Sequence, residues 1–300
     1  MSEQPFQGIR TFLKAKTYPV NNGIKVFGVP LDATTSFRSG ARHGPAAIRE
    51  ASLMLTDGNH PVFRNELNYD KLWDAGDFPV NNAMPIDSLD ELSDYLYDTY
   101  NPDVYNLMLG GDHTITYSAI RALSYKLDRA ISIVHFDAHC DTWKDHWGSD
   151  FGHGTWLYRA VETGFVEPIN SVQIGIRSPA DPKTADYFAQ KGGTVITNRA
   201  FLKNDLDSII DDIKNIVVDN PVYLTFDIDC LDPAYAPGTG TPEIGGLTTL
   251  QGVNNYTGGT LVNAGASLSI NSGLALGSGV LNLVGNSTTP ATLAVTNTTT

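Results

Sequence analysis

Three short polar clusters carry the chemistry this sequence could do: GGDH (110–113), DAHCD (137–141) and DIDCLDP (227–233). Asp137, His139 and Asp141 alternate along the chain, and so do Asp227 and Asp229. On an extended backbone such alternation puts side chains on one face. Carboxylates packed this closely repel unless a proton or a cation lies between them. Four aspartates with His113 and His139 offer oxygen-rich ligands and some imidazole. That mix suits Mn²⁺ better than thiolate-seeking zinc, and it suffices for two ions sharing bridging carboxylates. A lone Gly-Gly turn or Asp-x-Asp pair is more often a plain turn, a solvated strand end or a helix cap. Three titratable side chains on one strand face are costly without a purpose.

His153 sits in the glycine-flanked loop FGHGT (151–155), just after DAHCD. A loop histidine is ordinarily surface, but beside a metal centre it is placed to shuttle a proton or touch substrate. His135 shares the alternation of Asp137 and His139 but lies deeper, so it reads as a hydrogen-bonded core histidine. Arg42 and His43 read as shaping a loop before a helix, and His60 and His146 carry no assigned role. Cys140 and Cys230 fall between the ligands and read as small buried thiols, and two cysteines imply no disulfide framework.

The elements that must position these clusters alternate. Apolar runs at 24–30, 105–113, 131–139, 171–177, 193–197 and 222–229 are predicted strands, with a weaker one at 71–77. Amphipathic spacing predicts helices at 45–55, 87–97, 116–127 and 205–217. Alternating strands and helices make an α/β fold of three layers, a parallel sheet between helices. Each polar cluster ends a strand, and ligands bind such sheets outside the carboxyl ends of the strands.

The 300 residues are 41% hydrophobic and 18% charged, enough to build a sizeable core. A net charge of −13 argues against nucleic acid or an anionic membrane as partner. The opening residues hold no signal-type apolar segment and no run is long enough to span a membrane, so the expected address is the cytoplasm. The averages hide a break: no Asp, Glu, Lys or Arg occurs after Glu243. The expected division is a first domain over 1–248 and a Gly/Asn/Thr-rich tail over 249–300, which is either β-solenoid-like or disordered.

Residues 28–248 resemble the ureohydrolase family, and most of all its bacterial agmatinases. The likeness rests on GVPLDATTSFRSGARHGPAAIRE, GGDHTIT, VHFDAHCDTW, HGTW, VQIGIRS and YLTFDIDCLDPAYAPGTGTPEIGGLT. The resemblance implies an arginase/deacetylase-like fold and two Mn²⁺ ions held by His113, Asp137, His139, Asp141, Asp227 and Asp229. It implies hydrolysis of a small guanidino substrate, agmatine first and guanidinobutyrate next, to urea and an amine, the agmatine reaction yielding the polyamine precursor putrescine. Asp141 would orient the attacking oxygen and pass a proton to the leaving amine, and His153 would relay protons or contact substrate. Homo-oligomers are common in the family. A zinc amide hydrolase on the deacetylase fold is a weaker alternative, which GARHGPAAIR argues against.

The resemblance also sets an expectation of loss. Family members continue past GGLT with a helix, a last strand carrying a guanidinium-binding glutamate, and a final helix. That strand lies between the GGDH and DIDCLD strands. Its absence would leave a gap in the sheet and free His113 from the other five ligands, giving an impaired metal-binding relic. The segment GVNNYTGGTLVNAGASLSINSGLALGSGVLNLVG (252–285) resembles the passenger-associated repeat of bacterial autotransporters, which makes a structural β-helical module or a chimeric chain further readings.

Overall fold

The computed structural model describes residues 4, 6–55, 64, 68–247, 260–262, 267–270, 281–283 and 292–295. His60 and most of the repeat-like stretch lie outside these residues. The chain divides into two units, Met1–Gly246 and Leu247–Thr300.

The first unit is an α/β fold whose strands all run parallel. In chain order they are β1 (Gly23–Val29), β2 (Leu72–Asp77), β3 (Val104–Gly110), β4 (Ser132–Phe136), β5 (Val172–Ile176), β6 (Thr194–Thr197) and β7 (Val222–Phe226). The helices are α1 (Gly44–Ser52), α2 (Pro85–Asp98), α3 (Ile115–Leu127), α4 (Trp156–Glu162), α5 (Pro182–Gln190), α6 (Asn198–Phe201) and α7 (Leu206–Val217). Periodicity did not reveal α4 or α5. The first is only seven residues long, and the second is set by its start rather than its stripe. There Asp181 accepts from the Lys183 and Thr184 amides, and Pro182 occupies the first turn.

The strands form two sheets, ordered β2-β1-β3 and β6-β5-β4-β7. Val26, Phe27 and Val29 of β1 are buried, as are Ile133 and Val134 of β4, in keeping with strands covered on both faces. Phe27, Val29 and Leu31 pack on Leu89 and Leu92 of α2 and Ile115 of α3. Ile131 and Ile133 pack on Ile120, Trp156, Leu157 and Phe188. Arg49 fastens α1 to the end of β2: its guanidinium donates to both Asp74 oxygens (2.7 and 2.9 Å), to Asp77 Oδ1 (2.6 Å) and to Gly76 O (2.9 Å).

Between β3 and β7 the ladder is open. Among the described residues no strand pairs with their facing edges. A cleft of about 820 Å³ runs between them, lined by Leu107, Leu109, Tyr223, Leu224 and Phe226. The gap expected between these strands is therefore present. It exposes apolar surface, with Tyr105 78%, Leu224 62% and Phe226 49% accessible. Open apolar edges are templates for pairing with another chain. Leu224→Lys is expected to lower concentration-dependent light scattering of the purified chain while leaving its Tm nearly unchanged. Scattering equal to wild type would mean that copies do not meet along this edge.

The second unit contains two parallel pairs of short strands, β8 (Thr260–Val262) with β10 (Leu281–Leu283) and β9 (Ser267–Ile270) with β11 (Thr292–Val295). Among the described residues no helix is long and apolar enough to cross a membrane.

Candidate metal centre

The predicted site residues come together above the carboxyl ends of β3, β4 and β7. β4 ends at Phe136, and the chain then leaves the sheet, so Asp137, His139 and Asp141 do not share one extended face. They converge instead through a bend in which Asp141 takes a left-handed backbone (φ 52°). Asp227 begins a single turn at Ile228–Cys230, and its Oδ1 accepts from the Asp229 amide (3.0 Å). Gly111 brings the third cluster in close, since a Cβ there would stand 2.3 Å from Leu31 O and 2.5 Å from Val29 O. Its neighbour Asp112 is structural, accepting from the amides of Thr34 and Thr114 (both 3.1 Å).

His113 was expected to lose its place once the sheet opened, and it does not. Its Nε2 lies 2.8 Å from Thr225 Oγ1 on β7, and Thr116 Oγ1 lies 3.2 Å from the same hydroxyl. This side-chain bridge spans the gap that the backbone leaves. His113 Nδ1 then stands 3.0 Å from Asp137 Oδ2, 3.1 Å from Asp141 Oδ2 and 3.2 Å from Asp227 Oδ2. A second group adjoins it: His139 Nδ1 is 3.4 Å from Asp137 Oδ1 and 3.2 Å from Asp229 Oδ2. Asp137 belongs to both groups, one oxygen facing each.

The donor set fits a cation. His113 Nδ1 is buried, and among the described residues it has no hydrogen-bond partner despite three carboxylate oxygens around it. An orphaned imidazole nitrogen facing oxygens is a ligand arrangement rather than a hydrogen-bonded one. Distance alone would add His135 to the first group. Its ring is already committed. Gln173 Nε2 donates to Cys140 O (2.8 Å), which can only accept, so the same amide nitrogen also donates to His135 Nδ1 (3.0 Å). The proton of His135 is therefore on Nε2, where it donates to Asp137 Oδ2 (2.8 Å). His135 is the hydrogen-bonded core histidine expected, and it orients the shared carboxylate.

Several supporting residues were not singled out from sequence. Trp156 Nε1 donates to Asp141 Oδ2 (2.6 Å) from the start of α4. Arg177, just past β5, donates to the carbonyls of Asp229 (2.7 Å), Cys230 (3.1 Å) and Glu243 (2.6 Å), gathering two loops around the second group. Glu243 Oε1 accepts from Ser178 Oγ (2.9 Å) and lies 3.9 Å from His139 Nε2. His153 takes the Ser36 amide (3.2 Å) at Nε2, with Ser36 Oγ 2.7 Å away, and lines both the large cleft and a cavity of about 410 Å³ over His139 and Asp141. Cys140 and Cys230 are buried free thiols, both pushed up by burial.

Charge is tightly coupled across the cluster. Burial alone would depress His113, but Asp137, Asp141 and Asp227 outweigh it and hold the imidazolium well above its usual range. Burial also opposes protonation of His139, yet Asp137 and Asp229 raise it to about 11. Asp229 is pushed up to about 8 by burial and by repulsion from Asp137 and Asp227. Asp137 shows the opposite balance: burial would raise it, but His113, His135 and His139 hold it well below the usual carboxylate range. At pH 7 these directions put protons on His113, His139 and Asp229, and a bound cation must displace them. Divalent-metal affinity is therefore expected to rise with pH, steeply below about 8, where Asp229 still holds its proton, by roughly tenfold per unit for each proton released. Calorimetric titration in buffers of different ionisation enthalpy measures this directly; a binding heat independent of buffer would contradict it.

A family model described as the arginase family matches residues 22–258. The guanidinopropionase of Pseudomonas aeruginosa is 38% identical over 250 residues, 82% of this chain and 78% of that protein. The agmatinase of Photorhabdus laumondii is 43% identical over 226 residues, 75% of this chain and 70% of that one. A crystal structure of a hypothetical agmatinase from Burkholderia thailandensis superimposes with a TM-score of 0.73 at 38% identity, covering 81% of this chain and 76% of that one.

Proposed function

We propose, from the premise that this chain belongs to the arginase family, that it hydrolyses a guanidino compound to urea and an amine, with agmatine and its product putrescine as the first choice. The observation that carries the reading is Asp137, one carboxylate shared by two donor groups beneath a cavity. His113, Asp137, Asp141 and Asp227 would hold one divalent cation, and Asp137, His139 and Asp229 would hold the second. Two Mn²⁺ ions, when bound, would supply Lewis acidity and an activated water. Mn²⁺ is favoured by a set of carboxylates and imidazoles that includes no thiolate.

The chain's own groups do the rest. The Trp156 indole N–H fixes Asp141 Oδ2, so the proton for the departing amine travels on Oδ1, which faces Gly154 on the cavity wall. Ser36 holds His153 at Nε2, leaving Nδ1 as the atom that relays protons toward solvent. The acidic cavity draws in a cationic substrate.

Urea release from agmatine by the manganese-loaded chain, abolished by chelation, tests this. No urea from a folded chain carrying two ions would overturn agmatine as substrate. The open edges of β3 and β7 favour a second reading, a chain that retains metal without turning over any guanidino compound. For residues 249–300 the proposal is a separate module of the passenger-repeat type, supported by its short parallel strand pairs.

A further inference from the structure

The metal cluster has a void on each of two sides. His139 and Asp141 line the smaller cavity, whereas His113 and Asp227 line the large cleft between β3 and β7. Asp227 is the most accessible carboxylate beside His113, with 22% of its side chain exposed against 1% for Asp137 and 5% for Asp141. The slot left by the open ladder therefore reaches the first donor group by its own route.

Charge in the cleft is gathered at one end. His113 and Asp227 line it just past the ends of β3 and β7, and Arg38 joins them from the loop after β1, its guanidinium 5.1 Å from the Phe37 ring. Below them the walls are Leu107 and Leu109 of β3 and Leu224 and Phe226 of β7. Alternation puts Leu107 and Leu109 on one face of their strand, and Leu224 and Phe226 on one face of theirs. Leu224 precedes Asp227 by three residues, about 10 Å of extended strand. At about 820 Å³ the cleft has the size, the apolar walls and the few convergent polar groups of a small-molecule site.

Resting on the metal-centre reading, we infer that the cleft is a second entry to that centre, taking a ligand with an anionic oxygen head and an unbranched alkyl tail, the chemistry of a medium-chain fatty acid. The head would meet Arg38 and the cation held beside His113 and Asp227. The tail would lie between Leu107 and Leu224, covering apolar surface that is now exposed. A ligand charged at both ends does not suit this cleft, because its second charge would be buried unpaired among leucines. That sets the cleft apart from the cavity, which Asp141 and Asp145 make acidic.

The test compares octanohydroxamate with acetohydroxamate, which share a head and differ only in tail length, on manganese-loaded wild type, L224S and L107S. Calorimetry reads Kd, with metal content and circular dichroism to confirm that each variant is folded and loaded. Wild type is expected to bind octanohydroxamate roughly 60-fold more tightly, the effect of burying about three more methylenes at about fourfold each. L224S and L107S should each cut that advantage roughly 5- to 10-fold and leave acetohydroxamate binding unchanged. Equal binding of the two hydroxamates, or an advantage that both variants keep in full, would overturn the inference and leave the metal centre standing. Octanohydroxamate binding that survives removal of manganese unchanged would place the tail away from the centre and overturn it as well. Binding that weakens as protein concentration rises would mean that a second copy fills the cleft instead. A folded chain that takes up neither manganese nor acetohydroxamate would overturn both the inference and the metal-centre reading.

Discussion

Asp137→Ala is expected to strip metal from both halves of the cluster at once. Each Asp137 oxygen serves a different group, Oδ2 beside His113 and Oδ1 beside His139. Losing an outer partner of a metal site typically costs about 10- to 100-fold in affinity or activity, and losing a shared ligand should exceed that range. Removal also takes from His113 and His139 a carboxylate that helps hold their protons, which eases their deprotonation but supplies no donor in place of the lost ligand. Metal content after gel filtration should fall from two ions to none, with urea release lost. Asp229→Ala, which touches only the His139 group, should retain one ion. Two ions retained by Asp137→Ala would mean that the shared-carboxylate arrangement is wrong.

Chelation is expected to lower stability by several kcal/mol. Among the described residues the two sheets share no backbone ladder, and His113 follows β3 whereas the other five donors follow β4 and β7. In the metal-free state α3 still packs Ile120 against Ile131 and Ile133, and His113 itself is held across the crossing by the hydroxyl of Thr225 and by ring contacts with His135 and Trp156 (both 5.0 Å). A cation bound to His113 and Asp137 together would be a staple between the sheets. A ligand at 1,000 times its Kd stabilises by about 4 kcal/mol. For a unit of this size that moves Tm by roughly 2–4 °C per kcal/mol, or about 10 °C. Scanning calorimetry with Mn²⁺ and with chelator measures the difference. In His113→Ala most of it should vanish, because one side of the staple is gone. A Tm equally metal-dependent in His113→Ala would show that the ions bind within one sheet alone.

The strands and the three clusters were legible because they are local. β1, β4 and β5 are apolar runs, and each cluster closes a strand. The way the ligands converge was not legible from alternation alone. Asp141 arrives through a left-handed residue, which a strict period of two does not describe. Gln173 could not be singled out as the residue that sets the His135 proton, because β5 is paired with β4 only in three dimensions. Trp156 and Arg177 are likewise far in sequence from the carboxylate and carbonyls they serve. The open ladder was expected from family resemblance, but Thr225 closing it at His113 was not. One hydroxyl at the right height on a neighbouring strand leaves no trace in composition or spacing.

The open ladder also sorts the amides of this chain by how fast they trade hydrogen for deuterium. β1 and β4 have neighbours on both sides, so successive amides along each are held in a ladder. Among the described residues β3 and β7 have a neighbour on one side only, so every second amide points into the cleft. Exchange along these two strands should therefore alternate, slow then fast, residue by residue. Such a pattern is local to the edges and needs no global opening. An extended segment bound in the cleft would erase the alternation in both strands together, so deuterium uptake at β3 and β7 reports directly on whether the slot is filled.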